Sequence, residues 1–499
     1  PAHLARELPS PPVVSSLAWS AAAQVIVSEL LDARTGMITD WPVRYTSQRD
    51  CATSASSAAS ASIEGARLRA VRRLGEIFRV RCAVLGGKSW YAAYEHWLWA
   101  ARAPSGVPAS PAFVPVLPAV PSDAAQSELR AKLEAKGMAA ATARKTCDDL
   151  ALHAASMEQQ LSAEASAASH GRWPNVVVRA ERLAHVPGST SAASAPISFT
   201  SASSLGGADA ADAVRTSMIC LTCAVPSGDA DEVVAVEVTE AHLAKLRALW
   251  QLTQTSAAAA SDTHFFEAAF AVLARLQALQ GGHEQAGGMQ AACPPPAFDV
   301  LRADFGVTME LFASPLNSRF PRFCSAAADV DAPFGSLGSF FHCSRLSGAF
   351  VANPPFESQT VHAMAQHMEA LLSAADAAAG ALTIVVIVPA WRELPGWQAL
   401  ANSPHRSCTL NLERAKHCYV DGGQHYGRRT AAGRLSALRL SNHETSVFFL
   451  QSARAAVEAP PTQAKQQRLA RAFLAGLTPG TGQPDPEWVH PAPPSPPEP

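Results

Sequence analysis

The segment Leu382-Thr-Ile-Val-Val-Ile-Val388 restricts most what this chain can become. Both faces of that run are apolar in an extended backbone, so a strand built from it must be covered on both sides. An internal strand of a sheet wrapped by helices meets that need. Further Val/Ile/Phe-rich runs alternate with helical patterns from about residue 292 onward, at 308–313 (TMELFA), 348–352 (GAFVA) and 445–451 (TSVFFLQ). They predict an α/β fold with a mixed or parallel sheet.

Upstream the pattern differs. Residues 1–15 read as a loose Pro-rich N-terminus, and residues 16–290 as a mainly helical domain. Within it, 103–121 reads as a Pro-rich linker and 160–214 as Ala/Ser-rich, poorly ordered loops. Strands are expected at 215–224 and 232–238. Helices are expected at 239–254, opened by Thr239 and Glu240, and at 262–280, opened by Ser261-Asp262. The sheet domain is placed at 291–455, followed over 456–499 by a helix and a disordered Pro-rich tail.

Composition limits the partners. With 16% charged residues and a formal net charge of -2, the chain has no global basic field, so nucleic acid must be met by a local patch. No apolar run reaches the ~18 residues that cross a membrane. The ten cysteines are scattered, which suits a reducing compartment. Cys220 and Cys223 lack a second ligand pair and read as small strand residues rather than a zinc site, so no metal is expected.

The chemistry concentrates at Asn353-Pro354-Pro355-Phe356, directly after the run at 348–352. An amino group conjugated to an aromatic ring is a poor nucleophile because its lone pair is delocalised. The Asn353 side-chain oxygen and the Pro354 carbonyl can each accept one of its N–H bonds, which localises that lone pair and aims it at an incoming methyl group. Two prolines stiffen the corner. Phe356 offers a flat face, and stacking on a base contributes ~1–3 kcal/mol. The bland alternative is an ordinary strand exit.

Two further segments belong on the same sheet edge, where α/β folds bind ligands. Ala313-Ser314-Pro315-Leu316-Asn317 ends the run at 308–313; Asn317 can hold an amino-acid-like group there or serve as a local cap. Asp329 and Asp331 lie 16 and 18 residues beyond Ala313, close to the ~20-residue spacing of ribose-binding acids, or they are turn caps.

Taken in order, these motifs resemble the phosphorylated-CTD-interacting factor family over roughly residues 298–452. The resemblance runs through Phe312-Ala-Ser-Pro-Leu-Asn317, Phe334-Gly-Ser336 and Asn353-Pro-Pro-Phe356. It continues through Pro389-Ala-Trp-Arg392, Tyr419-x-x-Gly422-x-Gln424-His425 and Phe448-Phe-Leu-Gln451. It implies a Rossmann-like methyltransferase sheet domain and S-adenosylmethionine as cofactor. The implied reaction is N6-methylation of the 2′-O-methyladenosine next to a 7-methylguanosine mRNA cap, in the nucleus. The catalytic corner carries onto Asn353, Pro354, Pro355 and Phe356. The cofactor pocket carries onto Ser314, Pro315, Asn317, Asp331, Phe334 and Gly335. Cap and RNA contacts are expected at Arg319, Arg322, Trp391, Arg392, Gln424 and His425. The segment Leu243-Ala-Lys-Leu-Arg247 resembles the family's helical domain, which helps hold the capped end.

Animal members also reach the RNA polymerase II C-terminal domain through a WW domain. Trp19 and Trp41 are suitably separated, but the aromatic pair expected between them is missing, so no WW domain is read here. The rival readings are another amine target (internal RNA adenine, guanine N2 or a protein glutamine) and an inactive scaffold that binds capped RNA or a polymerase tail. The Arg67–Lys88 cluster is either a phosphate-binding face or a solvated helix face. Trp90, Tyr94 and Trp97 form a core stripe rather than a cap clamp.

Overall fold

The computed structural model describes residues 57–86, 91–100, 123–169, 178–183, 194–196, 218–227, 230–253, 262–282, 290–422, 438–474 and 477. The expected loose N-terminus at 1–15, the Pro-rich segment at 103–121, the tail from 478 and the pair Trp19/Trp41 lie outside these residues.

The first half comprises helices α1 (Ser57–Arg81), α2 (Tyr91–Ala100), α3 (Asp123–Ala135), α4 (Ala140–Ser169), α5 (Glu240–Thr253) and α6 (Asp262–Leu279). They pack with strands β1 (Val178–Leu183), β2 (Ser194–Pro196), β3 (Met218–Ser227) and β4 (Ala230–Thr239), which form an antiparallel sheet in the order β2-β1-β3-β4. The Ala/Ser-rich stretch after 160 is therefore not all loop. α4 runs on to Ser169, because alanine is the strongest helix former, and β1 and β2 lie beyond it. Thr239 caps α5 through its hydroxyl, which accepts from His242 N at 3.3 Å. Tyr94 and Trp97 are buried and stacked, 6.3 Å between ring centres, as a core stripe requires; Trp90 lies outside the described residues.

The second half adds α7 (Pro295–Phe305), β5 (Val307–Glu310), the short α8 (Ala328–Asp331), β6 (Gly348–Ala352), α9 (Ser358–Ala377), β7 (Leu382–Pro389) and α10 (Pro395–Ala401). β8 (Arg406–Leu412), β9 (Cys418–Val420), β10 (Leu438–Leu440), β11 (Thr445–Gln451), α11 (Ala453–Glu458) and α12 (Gln463–Phe473) complete it. The five-stranded sheet runs β5-β6-β7-β11-β8; β5, β6 and β7 are parallel, and β11 is antiparallel to both its neighbours. β8 was not anticipated.

β7 shows why its sequence is apolar throughout. Ile384, Val386 and Val388 face one core with Met364, Met368 and Leu372 of α9. Val385 and Ile387 face the other, with Phe298 and Leu301 of α7 and Leu469 and Phe473 of α12. Each such side chain, fully buried, contributes ~1.5–3 kcal/mol.

Single parallel bridges extend the sheet beyond β5, from Glu310 to Phe323 and from Phe323 to Ser336. The chain thus steps outward from β5 and then returns to β6 on its other side. The reversal lies between β5 and β6, and the segments beginning at Leu311 and Asn353 both leave the sheet there.

The two halves share one core. The first half's apolar cluster takes in Leu316, Ala327, Val330 and Phe334 from the second. A buried ionic network joins them too: Arg275 of α6 binds Glu64 of α1 at 2.6 and 2.7 Å and Asp329 at 2.7 and 3.0 Å, and Arg67 also pairs with Glu64.

The basic cluster on α1 is taken up with partners inside the fold. Arg72 donates to Ala235 O and Gln277, Arg69 and Arg73 meet Glu232, Arg79 meets Glu76, and Arg81 meets Asp149. Lys88 lies outside the described residues. Cys220 and Cys223 sit on β3 as free thiols, Cys223 buried.

Candidate active site

The residues at the β5/β6 reversal converge on one short segment, Gln290-Ala291. Asn353 donates from Nδ2 to Ala291 O at 3.0 Å, and Asn317 donates from Nδ2 to Gln290 O at 3.2 Å. Ser314 Oγ meets Gln290 Oε1 at 2.8 Å. Two consecutive carbonyls therefore tie the loop after β5 to the corner after β6. The Ala292–Val420 bridge anchors this segment to β9.

At the corner, Pro354 is buried, and Pro355 and Phe356 are half-buried. Pro355 O accepts from Glu357 N at 2.8 Å, whereas the Pro354 carbonyl takes no part in that turn. Glu357 caps α9 through the amides of Gln359 and Thr360. Asn353 Oδ1 is buried and has no hydrogen-bond partner among the described residues. A buried acceptor left unmet costs ~1–3 kcal/mol, so this oxygen is poised to receive a donor.

Phe356 stands edge-on to Tyr419, 5.9 Å between ring centres. The Tyr419 hydroxyl and His417 Nε2 both meet Thr445 Oγ1, at 2.9 and 2.8 Å. Burial lowers the His417 pKa, and its Nδ1 lies 2.8 Å from Glu413 O; these together define a neutral ring with the proton on Nδ1. The polar chain thus braces Tyr419 beneath Phe356. Sequence reasoning used Tyr419 only as part of a family motif and gave His417 and Thr445 no role.

The loop after β5 contains no glycine, and its own side chains shape it. Asn317 Oδ1 accepts from Ser314 N at 2.7 Å and from Ser314 Oγ at 3.1 Å, which makes Asn317 a local cap. Pro315 is buried beside it. Glu310, at the end of β5, accepts through Oε2 from Arg319 N at 2.6 Å and Phe320 N at 3.2 Å. Burial raises its pKa to about 7, against those amides and the charges of Lys245 and Arg319, which lower it.

The remaining expected cofactor residues sit deeper. Phe334 is wholly buried against Trp250, 5.7 Å between ring centres, and presents no open face. Gly335 has φ +106°, and a Cβ there would come within 2.2 Å of Pro321 O, so glycine is required for packing. Asp331 is 4% exposed, and burial pushes its carboxyl up to about 8, with the Ser325 hydroxyl opposing. An acid whose folded pKa lies above its unfolded value stabilises most below the unfolded value and loses that contribution as pH rises through the folded one. Asp331 therefore makes the fold less stable from about pH 4 up to about pH 8. Asp331→Asn is expected to flatten that slope in urea titrations run at pH 5 and pH 8; an unchanged slope would exclude Asp331 as its source.

The expected RNA-contacting side chains divide. Arg319 pairs with Asp299 at 3.0 Å, and Arg322 is half-buried. Trp391 is half-buried, edge-on to His443 at 6.0 Å, and Arg392 is exposed, paired with Glu444 and lying over Trp397 at 5.8 Å. Gln424 and His425 fall outside the described residues. Of the helical segment, Lys245 is buried and Arg247 pairs with Asp262 while lying over Phe265 at 4.5 Å, so neither is open to RNA.

Comparison with known proteins bears on the same residues. Residues 245–422 match the family model described as "Phosphorylated CTD interacting factor 1 WW domain". That stretch of the chain is similar to the phosphorylated-CTD-interacting factor family. Two relatives are proteins named mRNA (2'-O-methyladenosine-N(6)-)-methyltransferase, from Mus musculus at 33% and Homo sapiens at 32% identity over 241 residues. The match covers 48% of this chain and 33% of each relative, so it spans about a third of the length of these curated relatives. The family stretch runs from within α5 to just past β9 and contains the Asn353–Phe356 corner, Glu310, the 314–317 loop and Asp331.

Proposed function

We propose that this chain transfers a methyl group from S-adenosylmethionine to N6 of the cap-adjacent 2′-O-methyladenosine of 7-methylguanosine-capped mRNA. The observation that carries this reading is the Asn353 side chain, tethered by its Nδ2 and left with a buried acceptor that has no partner among the described residues. The names of the mouse and human relatives point to the same reaction. The sheet supports a Rossmann-like reading: parallel β5-β6-β7, reversed β11, helices on both faces, and the order reversal at the corner, where such folds bind ligands.

Ser314, Pro315 and Asn317 are the residues read as holding the donor, while Phe334, Gly335 and Asp331 are taken up in packing. The loop carrying Ser314, Pro315 and Asn317 and the Asn353 corner meet at Gln290-Ala291, which supports reading the donor and acceptor sites as neighbours. Bound S-adenosylmethionine supplies an electrophilic methyl group. Asn353 Oδ1 and the Pro354 carbonyl accept the two N–H bonds of the adenine amine and localise its lone pair. Phe356, braced by Tyr419, limits the orientations of the base. Positioning of this kind is worth up to ~7–11 kcal/mol. Arg319, Arg322 and Arg392 are assigned to the triphosphate bridge and Trp391 to the cap, and Gln424 and His425, outside the described residues, are assigned to the cap by the family resemblance alone. A nuclear location is proposed with it, on the family resemblance alone.

Methyl transfer to RNA beginning with 2′-O-methyladenosine, capped or uncapped, tests the reading. Transfer to capped RNA at least tenfold faster is expected. Equal transfer to both would move the target to another amine, and no transfer would remove the activity.

A further inference from the structure

We infer that Lys245 and Glu310 are positioning residues for the donor loop, so that a lysine from the first half of the chain sets the affinity for the methyl donor. This rests on the proposed function in taking residues 314–317 as part of the donor pocket.

The loop between Leu311 and Phe320 contains no glycine. A tight, ligand-facing turn is usually shaped by glycine. Here two buried polar side chains clamp the backbone instead. Lys245, 6% exposed on α5, donates from Nζ to Leu316 O at 2.8 Å and to Ser318 O at 2.6 Å. Glu310, 5% exposed at the end of β5, accepts from the next two amides, Arg319 N and Phe320 N. The ammonium holds carbonyls and the carboxyl group holds amides, so the loop is gripped by both kinds of backbone group. Between the grips, Ser318 N donates to Ser314 O at 3.0 Å, and Asn317 caps Ser314. Ser314 and Asn317 therefore owe their places beside Gln290 to a frame whose cationic corner belongs to the other half.

Lysine suits this task. Its ammonium is a compact point charge able to serve two carbonyls lying at different angles. Methionine has similar length and no charge, so Lys245→Met removes the grip with little change of volume. It leaves Asn353 and Phe356 in place. The effect belongs on donor binding rather than on the chemical step.

The test measures S-adenosylhomocysteine binding by calorimetry, and KM and kcat for S-adenosylmethionine, on the full chain. Lys245→Met is expected to raise the dissociation constant and KM at least tenfold while kcat falls less than threefold. Lys245→Gln, which keeps a donor, is expected to recover part of the loss. It also serves as the readable variant if Lys245→Met fails to fold by urea titration. A dissociation constant within twofold of wild type in folded Lys245→Met, or in Lys245→Gln where Lys245→Met does not fold, overturns the inference, as does an equal fall in kcat. Wild type that binds S-adenosylhomocysteine but does not methylate capped RNA sinks the proposed substrate and leaves this inference to be judged on binding alone. Wild type that does not bind it overturns both.

Discussion

Asn353→Ala is expected to lower kcat for methyl transfer by ~10²–10³, the usual cost of deleting one preorganised polar contact to a reacting group. The substitution removes the acceptor oxygen and the bond from Nδ2 to Ala291 O. The second loss costs only ~1 kcal/mol of stability, so the variant is expected to stay folded. Binding of S-adenosylhomocysteine is expected to remain close to wild type, because the loop at Ser314 and Asn317 keeps its own bonds to Gln290. The measurement is a single-turnover rate on capped RNA beside a urea midpoint. A folded variant within threefold of the wild-type rate would remove Asn353 from the mechanism.

Arg275→Met is expected to cost ~3–5 kcal/mol of stability, the largest structural effect foreseen for a single substitution here. Burial pushes the Glu64 carboxyl up, and the guanidiniums of Arg275 and Arg67 more than offset that, holding it below its usual range. With Arg275 gone, Glu64 keeps Arg67 alone, and Asp329 loses its partner from α6. A carboxylate held low in the folded state stabilises above its unfolded pKa and loses that contribution as pH falls through the folded one. Glu64 therefore contributes a loss on acidification that opposes the gain from Asp331, and the variant is expected to gain more stability, or lose less, than wild type as pH falls. Urea titrations at pH 7 and pH 4 read both effects; a midpoint loss worth less than ~1 kcal/mol at pH 7 would show the network to be replaceable.

The sheet was legible where hydrophobicity carried it. The run 382–388 required cover on both faces, and β7 has it, with alternate residues in two cores. The runs at 348–352 and 445–451 mark β6 and β11 in full. β8 was missed because Arg406-Ser-Cys-Thr-Leu-Asn-Leu412 is a partly exposed edge strand with no clean alternation. The links at Phe323 and Ser336 involve one residue each, too short for any pattern. In the site, Asn353 announced itself by chemistry and neighbours. Gln290-Ala291 did not, since what it offers is two main-chain carbonyls, which every residue carries. Glu310 looked like one polar position in a strand; its burial depends on a loop folding over it and on Lys245 arriving from the other half. Phe334 followed the family motif, yet its ring fills the seam against Trp250.

That seam has a consequence for anyone who would work with a shortened chain. Excision of the second half at residue 290 would leave an oily scar where Leu316, Ala327, Val330 and Phe334 now meet the first half. The same cut would strip Asp329 of its guanidinium and the Leu316 and Ser318 carbonyls of their ammonium. The helical half is thus scaffolding for the sheet half as well as a neighbour to it, and the smallest portable unit containing the Asn353 corner begins well upstream of its sheet.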